Sequence, residues 1–117
     1  MTTGTTSVDV RTLTPTASAI VIRGDVTSAS EGPLMDAYAS ASAAGAQTIV
    51  LDFAGLDYMN SGGIGLLVTL LVRVQRQGQR LTAVGLSDHY REILSLTRLD
   101  EAIAIYPSEA DVLASVS

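Results

Sequence analysis

The sequence feature that most constrains the fold is a nearly continuous apolar run, Thr48-Ile49-Val50-Leu51. A run of this kind is typical of a central β-strand buried on both faces, because a strand with one wet face would alternate apolar and polar residues. Such a strand needs a covering layer on each side of its sheet. The run therefore predicts an α/β architecture built around this strand.

The segments on either side of the run alternate between strand-like and helix-like patterns. Residues 8–13 and 17–22 contain β-branched and apolar residues and flank a Thr14-Pro15-Thr16 turn, which predicts an opening antiparallel hairpin. Apolar residues at helical spacing then alternate with short apolar runs. These patterns predict strands at residues 81–84 and 103–106, and helices that begin near Pro33, Ser61, Ser87 and Pro107, with Ser28 and Ser30 as candidate caps of the first.

The predicted order of elements is β-β-α-β-α-β-α-β-α. Strands that alternate with helices after a hairpin favour one mixed central sheet covered by about four helices. We expect residues 8–117 to form this single domain, because a chain of 117 residues suits one compact core. Residues 1–7 are small and polar, and we expect them to be a flexible leader.

Composition excludes several classes of function. The chain has no Cys and one His, so disulfides, thiolate zinc sites and multi-His metal sites cannot form. We predict no cofactor and no metal. The net charge is −5, and the cationic residues are not gathered into a cluster, which argues against nucleic-acid binding. No apolar run reaches the roughly 18 residues of a membrane-spanning helix. We therefore expect a cytoplasmic protein without a membrane partner.

The residues that could carry chemistry gather where the helix after the central strand begins. Ser61-Gly62-Gly63-Ile64-Gly65 opens this helix, so free backbone N–H groups and the helix dipole favour negative charge near Ser61. Each glycine within a helix costs about 1 kcal/mol relative to alanine. A tight turn, close packing or access for another molecule must justify that cost. On the buried face of the helix we expect Ile64, Leu67, Val68, Leu71 and Val74.

The segment around Ser61 resembles a known family. Residues 57–67, Asp-Tyr-Met-Asn-Ser-Gly-Gly-Ile-Gly-Leu-Leu, are similar to the signature of STAS-domain anti-sigma factor antagonists, in which an aromatic residue, Met, Asp and Ser precede a second Ser or Thr and a glycine. Weaker similarity extends from about Val8 to Leu113. The resemblance implies a STAS-type single domain and a bacterial regulator of transcription.

The resemblance also implies a partner switch. In this family the unphosphorylated antagonist binds an anti-sigma factor that is also a Ser/Thr kinase of the histidine-kinase-like ATPase type, and so frees the sigma factor. The kinase phosphorylates the serine that corresponds to Ser61, and a PP2C-type phosphatase reverses the step. The phosphate carries nearly two negative charges, which a helix N-terminus tolerates and a docked partner does not. The implied protein is not an enzyme and has no catalytic residue.

Several residues around Ser61 are expected to shape this switch. Asn60, Gly62 and Gly63 would form the switch loop, in which we expect Asn60 to cap the helix. Asp25, Thr27 and Met59 are candidate neighbours of Ser61, and Met59 is also a candidate docking contact, with the exposed start of the helix. Asp25 and Asp57 could alternatively form a carboxylate pair for acid–base or metal chemistry, although each is better explained as a turn residue.

Three departures from the family pattern keep other hypotheses open. The family's Asp before the serine is Asn60, its second Ser or Thr is Gly62, and the Asp of its turn after the second strand is Thr27. These changes favour a constitutive or ligand-sensing binding or scaffold module as the alternative, in which Ser61 is a plain helix cap. A small enzyme with Ser61 as nucleophile is a third hypothesis, but the sequence offers no evident base for it. The sequence does not determine the oligomeric state.

Overall fold

The structure is a computed structural model, and it describes residues 6–116. Within these residues the chain forms one mixed α/β domain, and the predicted order of strands and helices is confirmed. None of the helices in this range is long and apolar enough to span a bilayer. The elements are β1 (Thr6–Thr14), β2 (Ala17–Val26), α1 (Glu31–Ala43), β3 (Thr48–Met59), α2 (Ser61–Arg76), β4 (Arg80–Val84), α3 (Asp88–Leu96), β5 (Ala104–Ile105) and α4 (Glu109–Val116), with 3-10 turns at Ser28–Ser30 and Leu99–Glu101.

The sheet has the strand order β1-β2-β3-β4-β5. β1 pairs with β2 in the antiparallel sense, and β2, β3, β4 and β5 run parallel to one another. The predicted opening hairpin and the central position of the apolar run are both confirmed. Because β2, β3 and β4 are parallel, their carboxyl ends meet at one edge of the sheet, which is where ligands and partners usually contact such folds.

Two boundaries differ from the sequence prediction. Thr6 and Ser7, which we expected in the leader, pair with Gly24 and Arg23 in the hairpin. These residues are small and polar, but strands pair through their backbone N–H and C=O groups. Large side chains are therefore not required for pairing at the sheet edge. The rest of the predicted leader, residues 1–5, lies outside the described residues.

The central strand is also longer than predicted. The sequence patterns leave residues 52–60 as a connection between the apolar run and the helix at Ser61, but residues 52–59 continue β3 and pair with the second half of β2 through two register irregularities. The second irregularity leaves Asp57 as an extra residue between Leu56 and Tyr58, which pair with Gly24 and Asp25. Asp57 is therefore part of a β-bulge and was wrongly assigned to a turn.

The core lies on both faces of the sheet. The larger cluster contains Ile49, Leu51 and Phe53 of β3 and packs against α1, α2 and α3. The smaller cluster contains Val50, the residue between two of them, with Val112 of α4. This alternation follows the period of two along a strand and confirms that β3 is covered on both sides.

The buried face of α2 differs from the prediction. Leu67, Leu71 and Val74 are buried as expected, but Leu66 and Leu70 complete the face. Ile64 is only partly buried, and Val68 is 42% exposed. Apolar residues occur on more than one side of this helix, so their spacing alone is compatible with either of two adjacent buried faces. In the structure the longer leucines occupy the core.

Candidate functional site

Ser61 is the first residue of α2, at the point where the central strand ends. The end of β2 lies beside it, since Val26 pairs with Met59 and the Asn60 N–H donates to the Val26 carbonyl oxygen at 3.2 Å. The ends of β2 and β3 thus hold the start of α2 from one side. The segments that contain Asp25, Thr27 and Ser61 meet at one sheet edge, as expected from the strand order.

Asn60 caps α2. Its backbone is extended, with φ −97° and ψ −174°, and its Oδ1 accepts a hydrogen bond from the Gly63 N–H at 3.0 Å. The capping role predicted for Asn60 is confirmed. Ser61 does not cap the helix, and it is exposed to solvent. The N–H groups of Ser61 and Gly62 lie in the first turn, where helix geometry provides no intrahelical acceptor.

Gly62 and Gly63 permit close packing at the start of α2. A Cβ on Gly63 would lie 2.5 Å from the Val26 carbonyl oxygen and 2.7 Å from Met59 Cγ. A Cβ on Gly62 would lie 2.9 Å from the backbone nitrogen of Ser28. Neither glycine has a positive φ, so their role is steric. Of the reasons considered for the cost of glycine here, close packing explains these two positions.

Gly65 has a different surrounding. Apart from its chain neighbours and the backbone of its own helix, a Cβ at this position would meet no atom within 4 Å, and the residue is exposed. Packing within the domain therefore does not require glycine at position 65. The side of the helix that carries Gly65 has its backbone uncovered, as contact with another molecule would need.

An exposed stripe runs along α2 from Ser61. Ser61, Gly65, Val68 and Val72 are spaced by four, three and four residues, which places them on one side of a helix. Val68 and Val72 are 42% and 41% exposed. We call these four residues the Ser61 face. The Ser61 face combines a hydroxyl at the helix N-terminus with a small apolar surface. The four-three-four spacing of its residues is visible in the sequence.

Thr27 and Ser28 form the neighbouring turn. Thr27 Oγ1 accepts from the Ala29 N–H at 3.2 Å, and the Thr27 N–H donates to Ser30 Oγ at 3.0 Å. Ser28 is not a cap, because Thr27 caps the turn. Ser30 occupies the N-cap position of α1 as predicted, but its side chain makes no capping hydrogen bond there. Ser28 is exposed and lies next to Gly62. It is a neighbour of the site that the sequence pattern did not identify.

Met59 is buried and is not available as a docking contact. Its side chain is in the larger core cluster and the residue is only 5% exposed, while its N–H donates to the Tyr90 hydroxyl at 2.8 Å. The prediction of Met59 as a contact was wrong because strand alternation turns this side chain inward. Tyr58, the preceding residue, is 49% exposed instead.

The residues considered for catalysis or metal binding do not assemble around Ser61. Asp25 lies opposite Tyr58 in the sheet, and Asp57 lies in the adjacent bulge. No group of three or more His, Cys, Asp or Glu in residues 6–116 is arranged to hold a metal ion. His89 is exposed at the start of α3, where its ring contacts Tyr90 edge-on at 4.8 Å between centroids. In the described part of the chain, no hydrogen bond joins His89 to Ser61.

Two depressions occur elsewhere on the surface. A cavity of about 190 Å³ is lined by residues that include Leu86, Arg91 and Tyr106. A broader groove of about 620 Å³ lies along α3 and includes Glu92. None of the residues that line them belongs to the Ser61 face or its neighbouring turn. The Ser61 face is an exposed helix surface, which suits a macromolecular partner better than a small molecule.

Comparison with known proteins agrees with this fold. The sequence profile of the family described as "Mlab, STAS domain" matches residues 10–107. The fold is similar to the anti-sigma factor antagonist SpoIIAA in its unphosphorylated form, with 17% identity, a TM-score of 0.73, and coverage of 94% of this chain and 97% of that one. It is equally similar to the phosphorylated form of SpoIIAA from Bacillus, with 17% identity, a TM-score of 0.73, and coverage of 95% and 100%.

An anti-sigma factor antagonist from Mycobacterium paratuberculosis has 21% identity and a TM-score of 0.75, with 97% of this chain and 94% of that one covered. At these identities the likeness to solved structures establishes the shared fold. The family profile extends over most of the chain, from the middle of β1 to the residues just before α4.

Proposed function

The chain belongs to the STAS domain family, and we propose that it is an anti-sigma factor antagonist switched by phosphorylation of Ser61. The observation that carries the proposal is the exposure of Ser61 as the first residue of α2. A kinase can reach a hydroxyl in this position. The helix start can also accommodate the added charge, because its first-turn N–H groups and dipole favour an anion.

In the unphosphorylated state, the Ser61 face docks on the partner. Val68 and Val72 supply apolar contact, and Gly65 lets the partner approach the helix backbone. Phosphorylation places a dianion at one end of this face. A charge that is buried in an interface without a compensating group costs several kcal/mol, so the partner is released without any refolding of the antagonist.

The neutral cap at Asn60 fits this mechanism. An aspartate at position 60 would put a negative charge beside the phosphate, and like charges at this separation repel. Asn60 caps the helix through Oδ1 without adding charge. The departure from the family pattern therefore leaves the phosphorylated state of this chain easier to accommodate.

The proposal defines the partners by their roles. The unphosphorylated protein binds an anti-sigma factor of the histidine-kinase-like ATPase type, which acts as the Ser/Thr kinase of Ser61, and a PP2C-type phosphatase restores the hydroxyl. The protein itself is a non-enzymatic binding domain that uses no cofactor. In this role the protein acts in the bacterial cytoplasm and regulates transcription.

The proposal is tested by phosphorylation followed by intact-mass measurement. The wild-type protein is incubated with the cognate kinase and ATP, and we expect the mass of one phosphate to be added. S61A should gain none. S28A is the matched control, because Ser28 is an exposed serine beside Gly62, and it should gain phosphate as the wild type does. Phosphate on S61A at the wild-type level would overturn the assignment.

A constitutive STAS binding module is the second candidate function. The observation that favours it is local: Asn60 and Gly62 stand where the family carries Asp and a second hydroxyl residue, and the Thr27 hydroxyl is already used as a cap. Under this alternative, S61E and the wild type bind the partner with equal affinity. Under the switch proposal, S61E binds more weakly.

A further inference from the structure

β1 is an edge strand with an exposed side. It has nine residues, and β2 is the strand that pairs with it in the described part of the chain. Its sequence, Thr-Ser-Val-Asp-Val-Arg-Thr-Leu-Thr, contains β-branched residues and neither Pro nor Gly. The outer backbone groups of such a strand can pair with another strand, and proteins often protect their edges against this with Pro or a covering element.

The charges of β1 are arranged symmetrically around one residue. Asp9 and Arg11 flank Val10, so they share one face of the sheet while Val10 lies on the other. The Asp9 and Arg11 side chains are 68% and 50% exposed, although Asp9 contacts Arg23 and Arg11 contacts both Glu109 and Asp52, and Val10 is 36% exposed. Both charges therefore remain accessible to a strand placed alongside.

We propose that β1 pairs antiparallel with β1 of a second copy of this chain, about a two-fold axis at Val10. In this register Asp9 lies opposite the second copy's Arg11, Arg11 lies opposite its Asp9, and Val10 lies opposite its own copy. Oppositely charged cross-strand pairs stabilise a sheet, and like charges directly opposite destabilise it. A register centred on Asp9 or Arg11 would place like charges together, so the charges select Val10 as the centre.

The irregularity of β1 limits the extent of pairing. The register with β2 shifts between Thr12 and Thr14, which disrupts the ladder there. In the proposed register Thr12 lies opposite Val8 of the second copy, so the shared ladder spans residues 8–12 of both strands and ends before the irregularity. The sheets of the two copies then form one continuous sheet.

The proposed pairing leaves the switch surface free. A two-fold axis perpendicular to the sheet keeps corresponding faces of the two sheets on the same side. Each copy therefore keeps its own helices packed on its own sheet. β2 separates β1 from β3, the strand that leads to Ser61. Dimerisation through β1 therefore goes beyond the proposed function and does not depend on phosphorylation of Ser61.

A charge-swap experiment tests the proposal on the full chain. In D9R, position 9 carries Arg opposite Arg11 of the second copy. In R11D, position 11 carries Asp opposite Asp9. Sedimentation velocity over a concentration series should show dimers for the wild type, and each variant alone should have its dimer Kd raised about tenfold or more, because favourable cross-strand pairs become repulsive.

An equimolar mixture of the two variants is the decisive arm. The D9R chain carries two cations in the ladder and the R11D chain carries two anions, so the heterodimer is fully complementary and should regain the wild-type Kd. E92R on α3, a charge reversal of the same size away from β1, should dimerise like the wild type. A monomeric wild type at every concentration, undiminished association of D9R alone, or a mixture no tighter than either variant would overturn the proposal.

Folding of the variants is checked separately, because R11D places an acid beside Glu109 and Asp52, and D9R places a cation beside Arg23, within the same chain. Circular dichroism spectra should match that of the wild type. A second measurement needs no variant: amide hydrogen exchange in residues 8–12 of the wild type should slow as protein concentration rises, while exchange in α3 stays constant. Exchange in residues 8–12 that is independent of concentration would contradict the pairing.

Discussion

The first turns of α2 and α3 begin at the same edge of the sheet but differ in charge. Both helices follow neighbouring parallel strands and begin with a polar cap, Asn60 for α2 and Ser87 for α3. α3 carries an acid of its own in the first turn, Asp88, whereas the first turn of α2 has none. A negative charge near a helix N-terminus is stabilising, so α3 supplies its own charge permanently, whereas under the switch proposal α2 receives one by phosphorylation of Ser61.

The two turns also differ in how tightly they are packed. In α2, Gly62 and Gly63 bring the helix start against Ser28 and the end of β2. In α3, Asp88 and His89 of the first turn are exposed, and the turn contacts the core through the side chain of Tyr90. The start of α2 thus combines a closely packed backbone with an exposed hydroxyl. A phosphate added there changes the surface charge without displacing the helix.

The largest expected effect concerns partner binding. S61E should raise the Kd for the partner about 100-fold, because the interface must bury a charge that was absent. The matched change in α3, H89E, adds the same charge to an exposed first-turn residue and should leave partner affinity unchanged, since His89 is outside the Ser61 face. Isothermal titration calorimetry measures both. Equal losses for the two variants would mean that general charge, and not the position at α2, controls binding.

The next effect is on stability and tests the packing difference. G63A should lower the free energy of unfolding by about 2 kcal/mol, because its Cβ would meet backbone at 2.5 Å and overpacked sites cost a few kcal/mol. G65A is the control in the same helix, and it should raise stability by about 1 kcal/mol because its Cβ meets nothing. Urea denaturation gives both values. A G63A protein as stable as G65A would remove the steric explanation.

A smaller effect is expected from the caps. N60A and S87A should each lower the free energy of unfolding by about 1 kcal/mol, since each removes a hydrogen bond to a first-turn N–H. The loss of unfolding free energy should be larger for N60A than for S87A, because the Asn60 bond at 3.0 Å is shorter than the Ser87 bond at 3.4 Å. Thermal denaturation of both variants measures this order, and the reverse order would contradict it.

The smallest effect tests the charge difference itself. S61D should raise the free energy of unfolding by about 0.5 kcal/mol through the helix dipole, while D88N should lower it by a similar amount. Both changes should shrink in high salt, which screens exposed charges. Urea denaturation at two salt concentrations provides the measurement. A destabilised S61D protein would show that the start of α2 does not favour negative charge.

Much of the fold follows from local sequence patterns. The apolar run in β3 and the hairpin turn at Pro15 identified the central strand and the antiparallel edge. The second half of β3 was missed, because residues 52–59 mix glycine, acids and aromatics and form a strand only through pairing with β2. Pairing with a strand that is distant in the sequence cannot be read from the residue pattern of one segment.

The site was predicted in part for a similar reason. The cap at Asn60 followed from local chemistry and is confirmed. Met59 was wrongly placed on the surface, and Ser28 was not identified as a neighbour, because both depend on the packing of α2 against β2 and the adjacent turn. Whether Ser61 is phosphorylated stays a prediction.

The central claim is that the start of α2 tolerates a phosphate that the partner does not. The most direct test is to prepare the protein with phosphoserine at position 61 by site-specific incorporation, and to measure its melting temperature and its affinity for the partner beside the unmodified protein. We expect an equal or higher melting temperature and a lost or strongly weakened complex. A lowered melting temperature, or partner affinity unchanged by the phosphate, would contradict the claim.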